Sequence, residues 1–144
     1  MPGTAVRTLV TRLEDSMKRR ALDELDDIVA PDFVRICEAT PDLDIRDLEG
    51  FKQFLRGFLV AFPDEVQTFT HVAVDGNLIG VFATYEGTHQ GPFNGIPPTG
   101  KRVHFHFAGM FTVRDGKLAE FRVTWDNMTV LAQLGLLPDP AGGS

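Results

Sequence analysis

The stretch Tyr85-Glu86-Gly87-Thr88-His89-Gln90-Gly91-Pro92-Phe93-Asn94-Gly95-Ile96-Pro97-Pro98-Thr99-Gly100-Lys101 decides how the rest of the chain is read. No helix or strand interior accommodates so many Gly and Pro residues, so it predicts a shaped loop that presents one histidine, His89. Two strand-like runs follow, Val103 to Val113 and Leu118 to Asp126, and the Asp115-Gly116 pair between them is a strong hairpin signal. Upstream, Val66 to Val74 and Leu78 to Tyr85 are rich in β-branched and aromatic residues and are joined by Asp75-Gly76-Asn77, a second hairpin. The pattern predicts four antiparallel strands, with the loop between the second and the third.

Before the strands the period changes from two to nearly four. Val6, Leu9, Val10, Leu13 and Met17 recur at helical spacing, and Leu22, Leu25, Ile28 and Val29 begin a second set ahead of Pro31. Phe51, Phe54, Leu55, Phe58, Leu59 and Phe62 form an apolar stripe from Asp47 that stops at Pro63, where a helix is expected to end. After the last strand, Met128 to Gly135 predicts a short terminal helix, and residues 138–144 read as a frayed tail. Helices first and strands afterwards predict one α+β domain over residues 1–144, ordered from about 4 to 137, with the helices on one face of a curved antiparallel sheet. Such a sheet leaves a conical cavity, and bends are expected at Gly80, Gly87, Gly91 and Gly109.

Composition narrows the function. The 144 residues carry a net charge of -6, and Lys18-Arg19-Arg20 is the one basic cluster, so a nucleic-acid partner is not expected. A single cysteine, Cys37, excludes an internal disulfide framework and fits a reducing compartment. The N-terminus lacks a signal-peptide apolar region, and no run approaches the roughly 18 apolar residues of a membrane helix, so a soluble cytoplasmic protein without a membrane partner is expected.

Several residues could carry chemistry. Asp126 ends the last strand, where a carboxyl could face the cavity, although Asp126-Asn127 also sits where an N-cap belongs. His104 and His106 alternate with Val103, Phe105 and Phe107, so both lie on one face. Strict pairing across a two-residue turn sets His106 opposite Trp125 and Phe105 opposite Asp126; a bulge at Gly109 would exchange the faces. Trp125 could stack on a flat ligand or fill the core, Tyr85 could donate its hydroxyl or close a strand at the rim, and Phe51 could line the cavity or the core.

Phe93 to Lys101, then Phe111-Thr112-Val113-Arg114-Asp115-Gly116-Lys117-Leu118, then Trp125-Asp126 and Gln133-Leu134-Gly135, resemble the SnoaL-like polyketide cyclases in order and spacing over almost the whole chain. The resemblance implies the nuclear-transport-factor-2-like, or cystatin-like, cone. It also implies an enzyme that closes a ring of a small hydrophobic polyketide-type substrate by intramolecular aldol condensation, as in antibiotic biosynthesis, with neither cofactor nor metal. It implies a homodimer or homotetramer as well.

By the same resemblance Asp126 is the acid and base, and its burial among aromatic rings would raise its pKa, with Asn127 taking over the cap. His89, in its Thr-His-Gln-Gly setting, is the second catalytic candidate, able to bond the aspartate or a substrate carbonyl. His104, His106, Arg35, Tyr85, Trp125 and Phe51 are the candidate substrate contacts. Arg35 stands where many relatives carry His or Asn, and its fixed charge could hold a carboxylate or an enolate. Two other readings remain open: hydrolase, isomerase or hydroxylation-related chemistry on another small hydrophobic molecule, and a binding domain without catalysis.

Overall fold

A computed structural model describes residues 3–137, and the tail read at 138–144 lies outside them. The elements in chain order are α1 (Gly3–Lys18), a 3-10 turn (Leu22–Asp27), β1 (Val29–Cys37), α2 (Leu48–Ala61), β2 (Val66–Asp75), β3 (Leu78–Thr88), β4 (Arg102–Arg114), β5 (Lys117–Trp125) and α3 (Asn127–Gln133). The strands form one open, curved sheet in the order β1-β5-β4-β3-β2. The four strands expected from the sequence are the antiparallel run β2 to β5, and the helices pack against the sheet as expected.

The fifth strand was not expected. Residues 22–29 form a 3-10 turn that runs into β1, which pairs in parallel with β5 and makes the sheet mixed. Pro31 hid it, because proline removes a ladder donor. It is tolerated at a sheet edge, where β1 lies, and the β1–β5 register slips between Val29 and Val34, across that proline. Beyond the slip, Phe33, Arg35 and Cys37 alternate inward and are buried.

The predicted helices bury the predicted faces. Val6, Leu9, Val10, Leu13 and Met17 are all in the core. Asp47 caps α2 by accepting a hydrogen bond from the Gly50 amide at 2.7 Å, and the helix ends at Ala61 ahead of Pro63. No helix among the described residues is long and apolar enough to cross a membrane.

Register decides which side chains face the cavity. The β4–β5 turn is the two-residue loop expected, with Asp115 at φ 53° and Gly116 at φ 78°. Past it, Val113 pairs with Leu118 and Thr112 with Glu120, so Ala119 is an extra residue without an opposite partner. This bulge moves every later pair by one, and Trp125 faces Phe107 instead of His106. Gly109 stays in regular register opposite Val123; it is glycine because a Cβ there would run into the Arg122 carbonyl and the Phe121 ring. That ring stacks on Phe111 with centroids 3.9 Å apart.

Candidate active site

A cavity opens between α1, α2 and the concave face of the sheet, walled mainly by aromatic rings from α2, β4 and β5. Of the side chains predicted for the site, Arg35, Phe51, Tyr85 and Trp125 are brought together in its wall. Phe51 serves both purposes weighed for it, packing on Phe33 at 4.7 Å between centroids while lining the cavity. Trp125 is held at its indole nitrogen: Nε1–H donates to Asn127 Oδ1 at 2.9 Å, and Asn127 Nδ2 donates to the Ala39 carbonyl at 2.7 Å. Asn127 therefore fixes the tryptophan and the segment after β1, and is not the cap.

Asp126 is the cap of α3. One carboxyl oxygen accepts from the Met128 amide at 3.0 Å and the other from Thr129 Oγ1 at 2.8 Å. The residue is exposed and outside the cavity wall. Its hydrogen bonds to Thr129 and Met128 hold the carboxyl below the usual carboxylate range, opposite to the rise that burial would have caused.

His89 is wholly buried, yet it bonds neither Asp126 nor the cavity wall. The Thr99 amide can only donate, and it points at Nδ1 from 3.2 Å, so the ring proton sits on Nε2, which has no partner. Thr99 Oγ1 lies 3.1 Å from the same nitrogen, and the ring packs on Phe62 at 5.4 Å between centroids. The histidine ties the two ends of the Gly/Pro loop together: its amide donates to the Lys101 carbonyl, and its carbonyl accepts from Gly100. His104 and His106 lie on the convex, exposed face, where His106 stacks on Phe82 at 5.3 Å. The bulge does turn His106 to the side of Asp126, but that side is solvent. His104 contributes through its backbone, exchanging hydrogen bonds with the Gln133 amide group that dock α3 on β4.

Two polar residues of this region carried no signal in the sequence. Gln67 lines the cavity directly across the β2–β3 ladder from Tyr85, and Glu65 precedes it on the same face. Glu65 is 4% exposed and Tyr85 3%, and Glu65 Oε2 and the Tyr85 hydroxyl are sealed from solvent without a hydrogen bond of good geometry. Burial pushes the Glu65 carboxyl up, against smaller opposing effects from the adjacent Tyr85 hydroxyl, the Arg20 guanidinium and Gln67. Burial, then the charge of Glu65, pushes the Tyr85 phenol up as well. A lone Glu after a Pro63-Asp64 corner reads as surface; only the β2–β3 register reveals it as interior.

The family model for SnoaL-like polyketide cyclases matches residues 7–134. The chain belongs to the SnoaL-like polyketide cyclase family. Solved structures of similar proteins share the fold of this SnoaL-like chain. IdmH of Streptomyces antibioticus, a proposed polyketide cyclase, is 31% identical over 90% of this chain and 98% of its own, with a TM-score of 0.79. AclR of Streptomyces galilaeus, a proposed hydroxylase, is 27% identical over 96% and 89%, with a TM-score of 0.82. A proposed SnoaL-like polyketide cyclase of Jannaschia sp. CCS1 is 26% identical over 94% and 95%, with a TM-score of 0.84. No protein of curated function matches.

Proposed function

We propose that this SnoaL-like chain is a cofactor-independent cyclase that closes a ring of a small aromatic polyketide-type substrate by intramolecular aldol condensation in the aromatic cavity. The observation that carries the reading is the cavity itself, walled by aromatic rings from α2, β4 and β5 with Arg35, Gln67 and Tyr85 as its polar groups. Asp126, beside the cavity-lining Trp125, is held ionised by its hydrogen bonds; Glu65, beside Tyr85 and Gln67, is pushed toward its protonated form by burial. Such a pair, one group empty and one loaded, supplies base and acid at one pH. Asp126 caps α3 outside the cavity wall, so to act as the base it first leaves Thr129 and Met128 and turns past Trp125 toward the cavity; there it removes a proton from the carbon between two carbonyls. The electron pair left on that carbon attacks the acceptor carbonyl, and its oxygen takes a proton from the Glu65–Tyr85 side. The Thr129 and Met128 bonds make Asp126 a weaker base, and giving them up among aromatic rings raises its pKa toward what a weakly acidic carbon requires.

A general acid or base is worth typically about 10²–10⁴-fold in rate. With a linear aromatic diketo methyl ester as substrate, Asp126→Asn is expected to lower ring closure by about 100-fold or more. Full activity in that variant would remove Asp126 from the mechanism. A hydroxylation, the activity proposed for AclR, is the second reading, favoured by that 27% identity; a product heavier by one oxygen atom would select it. We also propose that the chain acts in the cytoplasm and that copies pair into a homodimer or homotetramer through the convex face of the sheet, where Phe82 and Met110 are 43% and 45% exposed.

A further inference from the structure

Arg35 is the most unusual side chain in the cavity. It is 5% exposed, in a chain with 20 acidic residues, yet among the described residues no carboxylate pairs with it. A guanidinium carries five N–H donors. Among the described residues the Arg35 guanidinium makes one hydrogen bond of good geometry, from Nη1 to Thr40 Oγ1 at 3.1 Å. Its carbon lies 4.1 Å from the centre of the Phe54 ring and 5.5 Å from that of Trp125, both of which line the same cavity. Cation–π contact with two rings offsets only part of the hydration lost on burying an ion. The Cys37 thiol is the other polar group beside the guanidinium, and the cavity that Arg35 lines is otherwise mainly aromatic.

We propose that Arg35, clamped between Phe54 and Trp125, is the binding site for an anionic oxygen conjugated to a flat aromatic ligand, a carboxylate or an enolate. Loss of hydration pushes the guanidinium's own pKa down, yet an arginine remains charged at any working pH. The charge is therefore permanent, and a neutral ligand would leave it unanswered. The ring system of the ligand takes the apolar walls and the anion completes the fork that Thr40 satisfies in part. As a statement about the substrate this rests on the ring-closing reading, where the enolate formed on proton removal would meet Arg35; as a statement about the cavity it stands without it.

The test is therefore a binding measurement that needs no turnover. Titration calorimetry of the intact chain would compare 2-naphthoate with its neutral isostere, methyl 2-naphthoate, and with 2-naphthol below and above its ionisation. We expect 2-naphthoate to bind at least 10-fold tighter than the ester, and Arg35→Met to abolish the preference while leaving ester binding within 3-fold. Arg35→Lys should restore part of it, since ammonium keeps the charge and loses the fork. Naphthol binding that strengthens with its ionisation assigns the enolate-like source; tight naphthoate binding with indifferent naphthol assigns the carboxylate. Equal affinities for acid and ester, a preference that survives Arg35→Met, or no binding of either naphthoate or the smaller benzoate would each overturn the proposal. Failure of Asp126→Asn to reduce ring closure would leave all of these outcomes untouched.

Discussion

Replacing Arg35 with Met takes a charge out of an apolar interior without leaving a carboxylate behind. Breaking a buried ion pair usually costs stability because the partner is stranded; here the one group that loses a bond is the Thr40 hydroxyl. Arg35→Met is thus expected to melt no lower than the parent by calorimetry, and a fall of more than a few degrees would mean that the guanidinium holds the fold. Asp126 shows the reverse balance. Asn caps nearly as well as Asp, so Asp126→Asn should hold stability within about 0.5 kcal/mol while Asp126→Ala costs about 1 kcal/mol in chemical denaturation. A larger loss in the Asn variant would show that the carboxylate charge matters to α3. At this scale the sequence was a partial guide. It named Arg35, Tyr85, Trp125 and Phe51, whose inward direction follows from alternation and apolar neighbours. It gave the cap to Asn127 and the cavity to Asp126, the reverse of what forms, because either residue caps a helix, and Glu65 became visible only through pairing.

The Gly/Pro loop is sewn to the end of α2. The amides of Gln90 and Gly91 both donate to the Ala61 carbonyl, and a Cβ on Gly91 would run into the Val60 carbonyl, which is backbone and cannot step aside. Gly91→Ala should therefore cost about 1–3 kcal/mol, as overpacking does, read as a lower Tm. An unchanged Tm would mean that the loop lifts away freely. In the same loop Asn94 and Gly95 both have positive φ, and Phe93 and Ile96 close the turn with paired backbone bonds. The hairpins were legible because Asp-Gly and Asp-Gly-Asn at a turn need backbone that few residues accept, and α2 because of its stripe and its proline stop. β1 was not. Its edge position tolerates Pro31, and the helical spacing of Leu22 to Val29 comes from a 3-10 turn whose side chains happen to face one way.

For the molecule as a whole, pH dependence follows from where protons are held. The folded state raises the pKa of Glu65, so this group contributes stability at pH below its unfolded value, lost as pH rises through the folded one. Each unit of such a shift is worth about 1.4 kcal/mol. Glu65→Gln, which keeps the shape and cannot ionise, is expected to melt higher than the parent at pH 8, with the gap closing by pH 5. A constant gap would deny that Glu65 takes up its proton on folding. The convex face makes a separate prediction. If copies pair there, Met110→Lys, which puts a charge among Phe82 and its neighbours, should shift the light-scattering mass toward the monomer without lowering Tm; an unchanged mass would place the contact elsewhere. Finally, the extra residue Ala119 fixes which side of β5 becomes wall and which becomes outside. β4 is held separately by its unbroken register with β3, so Phe105 and Phe107 stay inward whatever happens at the hairpin. Deleting one codon there would turn Phe121, Val123 and Trp125 out and Glu120, Arg122 and Thr124 in, so a charged wall lies one indel away from the present apolar one.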